Sequence, residues 1–190
     1  MNLTPLFLSK SIRRTLLLAG AACLLLAPLG CERGKKAAAS AQTVSLEIPP
    51  LFQRKGELAR AAEWGKTQAK VEELKQKLAQ NPNDLKARLQ LVTIYLAEAR
   101  ITGEHPYYYP AVLKMLDGVL SLDPTHFEAT VFKASVKLSQ HEFAEAKVLA
   151  EKALKLNPDN AYVYGVLVDA NVELGKYEEA VAMSDKMQLL

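Results

Sequence analysis

The sequence predicts an all-α fold: an α-solenoid of antiparallel helical hairpins that follows a signal peptide and a flexible tether. Three observations predict it. Apolar residues recur every 34 positions from Tyr109 onward, proline turns recur between them, and the N-terminus has the basic-then-apolar layout of an export signal. With 49% hydrophobic and 24% charged residues, the composition is that of a globular protein.

Residues 1–30 form the predicted signal peptide. Lys10, Arg13 and Arg14 precede an uncharged run, rich in Leu and Ala, from position 15 to Gly30. Sixteen helical residues span about 24 Å, short of the ~30 Å hydrocarbon core, so the run suits a signal better than a permanent membrane span. It ends Leu26-Ala27-Pro28-Leu29-Gly30-Cys31, which resembles the lipobox of bacterial lipoproteins. The resemblance implies acylation of Cys31; its alternatives are ordinary signal-peptidase cleavage and an uncleaved anchor. Several acyl chains at ~0.8 kcal/mol per buried methylene would hold a protein stably on a bilayer. Glu32 follows the cysteine, and the absence of Asp there resembles the sorting pattern of outer-membrane lipoproteins facing the periplasm. Residues 31–50 are small and polar, close on Pro49-Pro50 and read as the tether.

Residues 51–84 are expected to form an N-terminal helix or a degenerate repeat that caps the stack, with Leu58, Ala61, Ala62, Ala69, Leu74 and Leu78 as its apolar positions and a possible break at Gly65. The regular columns begin after it. Tyr109, Phe143 and Tyr177 share one; Val112, Ala146 and Ala180 the next; then Leu116, Ala150 and Ser184; then Val119, Ala153 and Met187. Pro124 and Pro158 keep the same spacing, and Asn81-Pro82-Asn83-Asp84 is a third copy of their turn. Pro82 and Pro124 lie eight residues further apart than the period, and the insertion is placed at residues 99–106, between the two helices of the first repeat. The repeats are then 85–126, 127–160 and 161–190, each a pair of amphipathic helices of about 12 to 14 residues that are marginal alone and must bury one another's faces.

These columns resemble the tetratricopeptide repeat. Gly175, Tyr177 and Ala180, the small Ala134 and the closing prolines fall at matching positions, whereas Lys133, Val92 and Val168 depart from the usual residue types. The resemblance implies a concave face lined by the first helix of each repeat: Lys86, Leu89, Thr93 and Leu96, then Glu128, Val131, Ser135 and Leu138, then Tyr162, Gly165, Asp169 and Val172. It further implies a protein or peptide partner held there by shallow apolar contacts and a few hydrogen bonds. Leu89, Val131 and Gly165 occupy the column where some members carry a lysine that clamps a terminal carboxylate, so that mode is disfavoured. Tyr107 and Tyr108, in a run of three tyrosines between Pro106 and Pro110, are a candidate aromatic contact, with packing of the lengthened turn as the alternative.

Other functions find little support. Outside the leader, 21 basic residues balance 21 acidic ones, which gives a phosphate backbone no field to follow. The two cysteines, Cys23 and Cys31, both lie in or beside the leader, and His105, His126 and His141 lack metal-ligand spacing. No phosphate loop, dinucleotide fingerprint or nucleophile elbow occurs, and acidic pairs such as Glu72-Glu73 read as solvated helix surface; neither catalysis nor a cofactor is expected. The expectation is a membrane-tethered adaptor in the cell envelope. The competing expectation is the front of a longer repeat protein, since the last helix carries Tyr177, Ala180, Val181 and Met187 along one face and invites self-association if nothing covers it. Radioactive palmitate is expected to label the wild-type protein in its host and to leave Cys31→Ala unlabelled; an unlabelled wild type removes the anchor.

Overall fold

The structure, a computed structural model, describes residues 47–60 and 62–190. The signal peptide, Cys31 and the tether as far as residue 46 lie outside the described residues. Every regular element described is a helix: α1 (Gly56–Arg60), α2 (Ala62–Gln80), α3 (Leu85–Thr102), α4 (His105–Leu122), α5 (Phe127–Ser139), α6 (Phe143–Leu156), α7 (Ala161–Glu173) and α8 (Tyr177–Gln188). They form the predicted all-α solenoid. Hairpins α3/α4, α5/α6 and α7/α8 follow in order, and α2 covers the open side of α3.

Local chemistry explains where each hairpin starts. The residue two places after each repeat proline caps the next first helix: Asp84 accepts from the Ala87 amide, His126 Nδ1 from Ala129 and Asn160 from Val163. One orphan amide of each helix is thereby satisfied. The second helices α4, α6 and α8 have no side-chain cap and follow tight turns instead. Each turn contains one residue in the left-handed region: Gly103 (φ 74°), His141 (φ 61°) and Gly175 (φ 70°). Glycine adopts that conformation freely, whereas the histidine carries a Cβ penalty.

Packing then follows the columns. Val112, Leu116 and Val119 of α4 and Ala146, Ala150 and Ala153 of α6 are fully buried at equivalent positions. A larger core gathers α2, α3, α4 and one side of α5 around Leu74, Leu91, Tyr95, Met115 and Leu116. A second joins α5, α6 and α7 through Val131, Ala134, Ala150, Val163 and Leu167. In α8 only Ala180 of these columns stays buried, Ser184 and Met187 are half-buried, and the face beside them opens to solvent. Tyr109 is 7% exposed, whereas Tyr177, two periods later, is 66% exposed, and Val181 is 61% exposed.

Three sequence expectations need correction. The eight extra residues do not form a loop, because α3 runs to Thr102 and α4 starts at His105, with only Gly103 and Glu104 between them. Both helices have 18 residues, against 13 and 14 in α5 and α6, so the insertion lengthens the hairpin. Pro106 is compatible because it sits in the first turn, where amides have no helical partner; Pro110 lies inside the helix and costs it one hydrogen bond. Gly65 makes no break, since it lies within α2. Finally, residues 47–50 belong to the folded body: Ile48 packs on the larger core, and the carbonyls of Pro49 and Pro50 accept hydrogen bonds from tyrosines.

One close approach between helices depends on a missing side chain. Arg88 crosses from α3 over Gly118 of α4 and donates from Nε and Nη2 to the Pro82 carbonyl at 3.0 and 2.6 Å. A Cβ on Gly118 would stand 1.8 Å from Arg88 Nη1. Gly118→Ala is therefore expected to evict the guanidinium and lower stability by about 1 kcal/mol, the loss of charged hydrogen bonds exceeding the gain in helix propensity. In an Arg88→Ala background the same change is expected to stabilise, and destabilisation in both backgrounds would refute this account. At the α5/α6 turn, His141→Gly is expected to raise stability by about 1 kcal/mol in urea unfolding; an unchanged midpoint would show that the turn carries no strain.

Candidate partner-binding face

The first helices α3, α5 and α7 present one continuous face, because α5 packs against α7 and the start of α5 borders α3. Lys86, Leu89, Thr93 and Glu128 line a shared depression of about 410 Å³, together with Leu85, Gln90 and His126. Lys86 on α3 and Glu128 on α5 thus bring a cation and a carboxylate to the same depression, with Leu85 and Leu89 as its apolar part. One period along, the Ser135 and Tyr162 hydroxyls lie 3.0 Å apart and bridge α5 to α7.

The expected face residues divide by burial. Lys86, Thr93, Glu128, Tyr162, Asp169 and Val172 are exposed, while Leu89, Leu96 and Val131 are buried, with Ser135, Leu138 and Gly165 between. The buried members pack between helices, and the exposed ones stand at the surface. Thr93 and Ser135 donate their hydroxyls to the Leu89 and Val131 carbonyls one turn back, so the Ser135 oxygen acts as acceptor toward the Tyr162 hydroxyl.

Tyr107 and Tyr108 lie elsewhere, against the chain's own residues 47–55. The Tyr95 hydroxyl donates to the Pro49 carbonyl, and the Tyr107 hydroxyl donates to that of Pro50 at 2.8 Å. The Tyr108 hydroxyl accepts from the Phe52 amide at 2.9 Å. The rings meet edge to face, with 5.4 Å between Phe52 and Tyr107 and 5.4 Å between Tyr95 and Tyr108. Burial pushes the Tyr95 and Tyr108 phenols above their ordinary range, so both stay protonated.

Beside them, Arg54 meets Glu98 of α3 through two hydrogen bonds of 3.0 and 2.6 Å, with side chains 1% and 2% exposed. Its guanidinium lies 4.7 Å from the Trp64 ring centre and also pairs with Glu63 at 3.3 Å. The Glu98 hydrogen bond, set against burial, raises the Arg54 pKa further and keeps the cation fixed. Sequence reasoning missed this arrangement. Its one legible sign was a glutamate at Glu98 among the buried positions of α3.

Residues 137–188 match the family model for the tetratricopeptide repeat. A crystal structure of MamA superimposes with a TM-score of 0.57 at 19% identity, covering 70% of this chain and 74% of that one. The fold is a tetratricopeptide-repeat solenoid. MamA from Desulfovibrio magneticus RS-1 (residues 41 to the end) gives 0.57 at 19% identity over 68% of each chain, and MamA AMB-1 gives 0.55 at 21% over 70% of this chain and 68% of that. No curated protein matches the sequence. Within the tetratricopeptide frame, α3, α5 and α7 are the first helices of successive repeats, and α2 takes the place of a preceding second helix. No group of three or more His, Cys, Asp or Glu among the described residues could hold a metal ion. No described helix is long and apolar enough to cross a membrane.

Proposed function

We propose that this protein is a non-catalytic scaffold that binds a partner polypeptide along the face of α3, α5 and α7, and that acylation of Cys31 tethers it to the bacterial envelope on the periplasmic side of the outer membrane. The observation that carries the binding reading is the depression shared by Lys86, Leu89, Thr93 and Glu128, continued by the Ser135–Tyr162 bridge. Two leucines beside a cation, a carboxylate and a hydroxyl suit a peptide with alternating apolar and polar side chains. The anchor reading rests on the sequence of the leader alone, in which Gly30-Cys31 closes an uncharged run.

The face can be tested without knowing the partner. A photo-crosslinking amino acid at position 86, 93 or 162 of the full-length protein is expected to capture the same partner band in envelope preparations. At Lys114 and Lys152, exposed positions on second helices, it is expected to capture none. Equal capture from both sets, or capture only from the second helices, would remove the face from consideration.

A further inference from the structure

The geometry around α3 and α4 points to a second recognition site: we propose that Tyr95, Tyr107 and Tyr108 bind an extended, proline-bearing segment, and that residues 48–54 of the chain are its resident ligand. The site shares no residue with the partner-binding face and does not depend on that reading.

Residues 47–55 form neither helix nor strand. Pro49 and Pro50 have no amide hydrogen and cannot pair as a strand, so their carbonyls are the polar groups this stretch can offer. Two phenols donate to those carbonyls, and the third accepts the Phe52 amide, the next one that is bonded. The tyrosines thus read a backbone whose donors and acceptors are spaced by proline. Apolar contacts complete the match. Ile48, Leu51 and Phe52 are half-buried against the core that holds Tyr95, Tyr108 and Tyr109. An aromatic surface bearing hydroxyls, opposed to a proline-stiffened strand with exposed carbonyls, is the general chemistry of polyproline recognition. Arg54 closes the far end by its buried pairing with Glu98.

The segment is held by this site and not by continuity with the stack. After Arg54 comes α1, none of whose residues is buried, and among the described residues the next buried side chain is Trp64. Gly56, the first residue of α1, has φ 57°, a left-handed conformation that glycine adopts freely and that turns the chain out of the segment. Contacts at residues 48–54 therefore decide whether the segment is seated, and a free peptide of the same sequence presents the same groups.

Trp64 is the chain's single tryptophan and reports on the seat, since the Arg54 guanidinium lies over its ring. The test titrates a synthetic peptide of residues 47–55 into full-length protein carrying Phe52→Ala and Arg54→Ala, which frees the site. Expected is a saturable change in tryptophan fluorescence, at least tenfold weaker in wild type, where the site is filled. Adding Tyr107→Phe and Tyr108→Phe is expected to weaken binding tenfold or more at unchanged helicity, as is replacing both peptide prolines with glycine. If the double variant loses helicity, Phe52→Ala alone serves under the same criteria. No saturable change in a folded variant, equal affinity in wild type, or indifference to the tyrosine hydroxyls would each overturn the proposal.

Discussion

A helical hairpin of 27 or so residues has two apolar faces and can cover only one of them by itself, so each hairpin here relies on the next to exclude water from the other. The side-chain sizes in the second helices record how that reliance is met. In α6 the buried positions are all alanine, at Ala146, Ala150 and Ala153, and the first helices on either side come close to its backbone. In α4 the same columns hold Val112, Leu116 and Val119, and the surrounding core is correspondingly larger, with Tyr95, Tyr108 and Met115 in it. Stability is therefore concentrated toward the N-terminal hairpin. Toward α8 it declines, where Ala180 is the one buried residue of the helix.

The start of the stack is closed by different means. There α2 supplies Val71, Leu74 and Leu78 to the core, and the segment before it supplies Ile48, Leu51 and Phe52. An extended segment cannot satisfy its own backbone, so the tyrosines of α3 and α4 do it. The lengthening of this hairpin serves the same end, because the four extra residues at the start of α4 include Tyr107 and Tyr108. The Arg54–Glu98 pair adds position more than energy. Removing two charges from water largely cancels their attraction, yet only one placement of the segment lets both find a partner.

Repetition made most of the fold legible in the sequence. A column such as Val112, Ala146 and Ala180 constrains three helices at once, and chance rarely aligns several such columns. The proline turns located the capped starts of α3, α5 and α7 for the same reason. What stayed hidden was whatever occurs once. The run between Ala99 and Pro106 reads as a loop because Pro106 and Pro110 are helix breakers in most settings; Pro106 is compatible in the first turn of α4, whereas Pro110 lies inside the helix and removes one of its hydrogen bonds. Pro49-Pro50 reads as the end of a tether, since nothing local reveals three phenols more than forty residues away. The partner-binding face was half legible. Register placed Leu89 and Val131 correctly on the first helices, but it carries no information on how far a neighbouring helix shields a side chain, and both are buried.

That shielding bears on how the face discriminates. Its buried column, Leu89 and Val131, offers edges that any apolar side chain can touch, and contacts of that kind contribute affinity with little selectivity. Selectivity must come from the columns that stay exposed. One runs Lys86, Glu128, Tyr162 and changes its chemistry at every hairpin; the other runs Thr93, the half-buried Ser135 and Asp169, two hydroxyls followed by a carboxylate. A repetitive ligand would meet a different group at each step of the first column. Under the proposed function, the face would favour one register of its ligand: an acidic group near Lys86, a basic or donating group near Glu128, and donors opposite Ser135 and Asp169. The Ser135–Tyr162 contact sets the spacing between the second and third of these positions, because it joins α5 to α7 on the exposed side of the packed core. The regular packing beneath thus serves as a ruler, and the irregular surface above it carries the information.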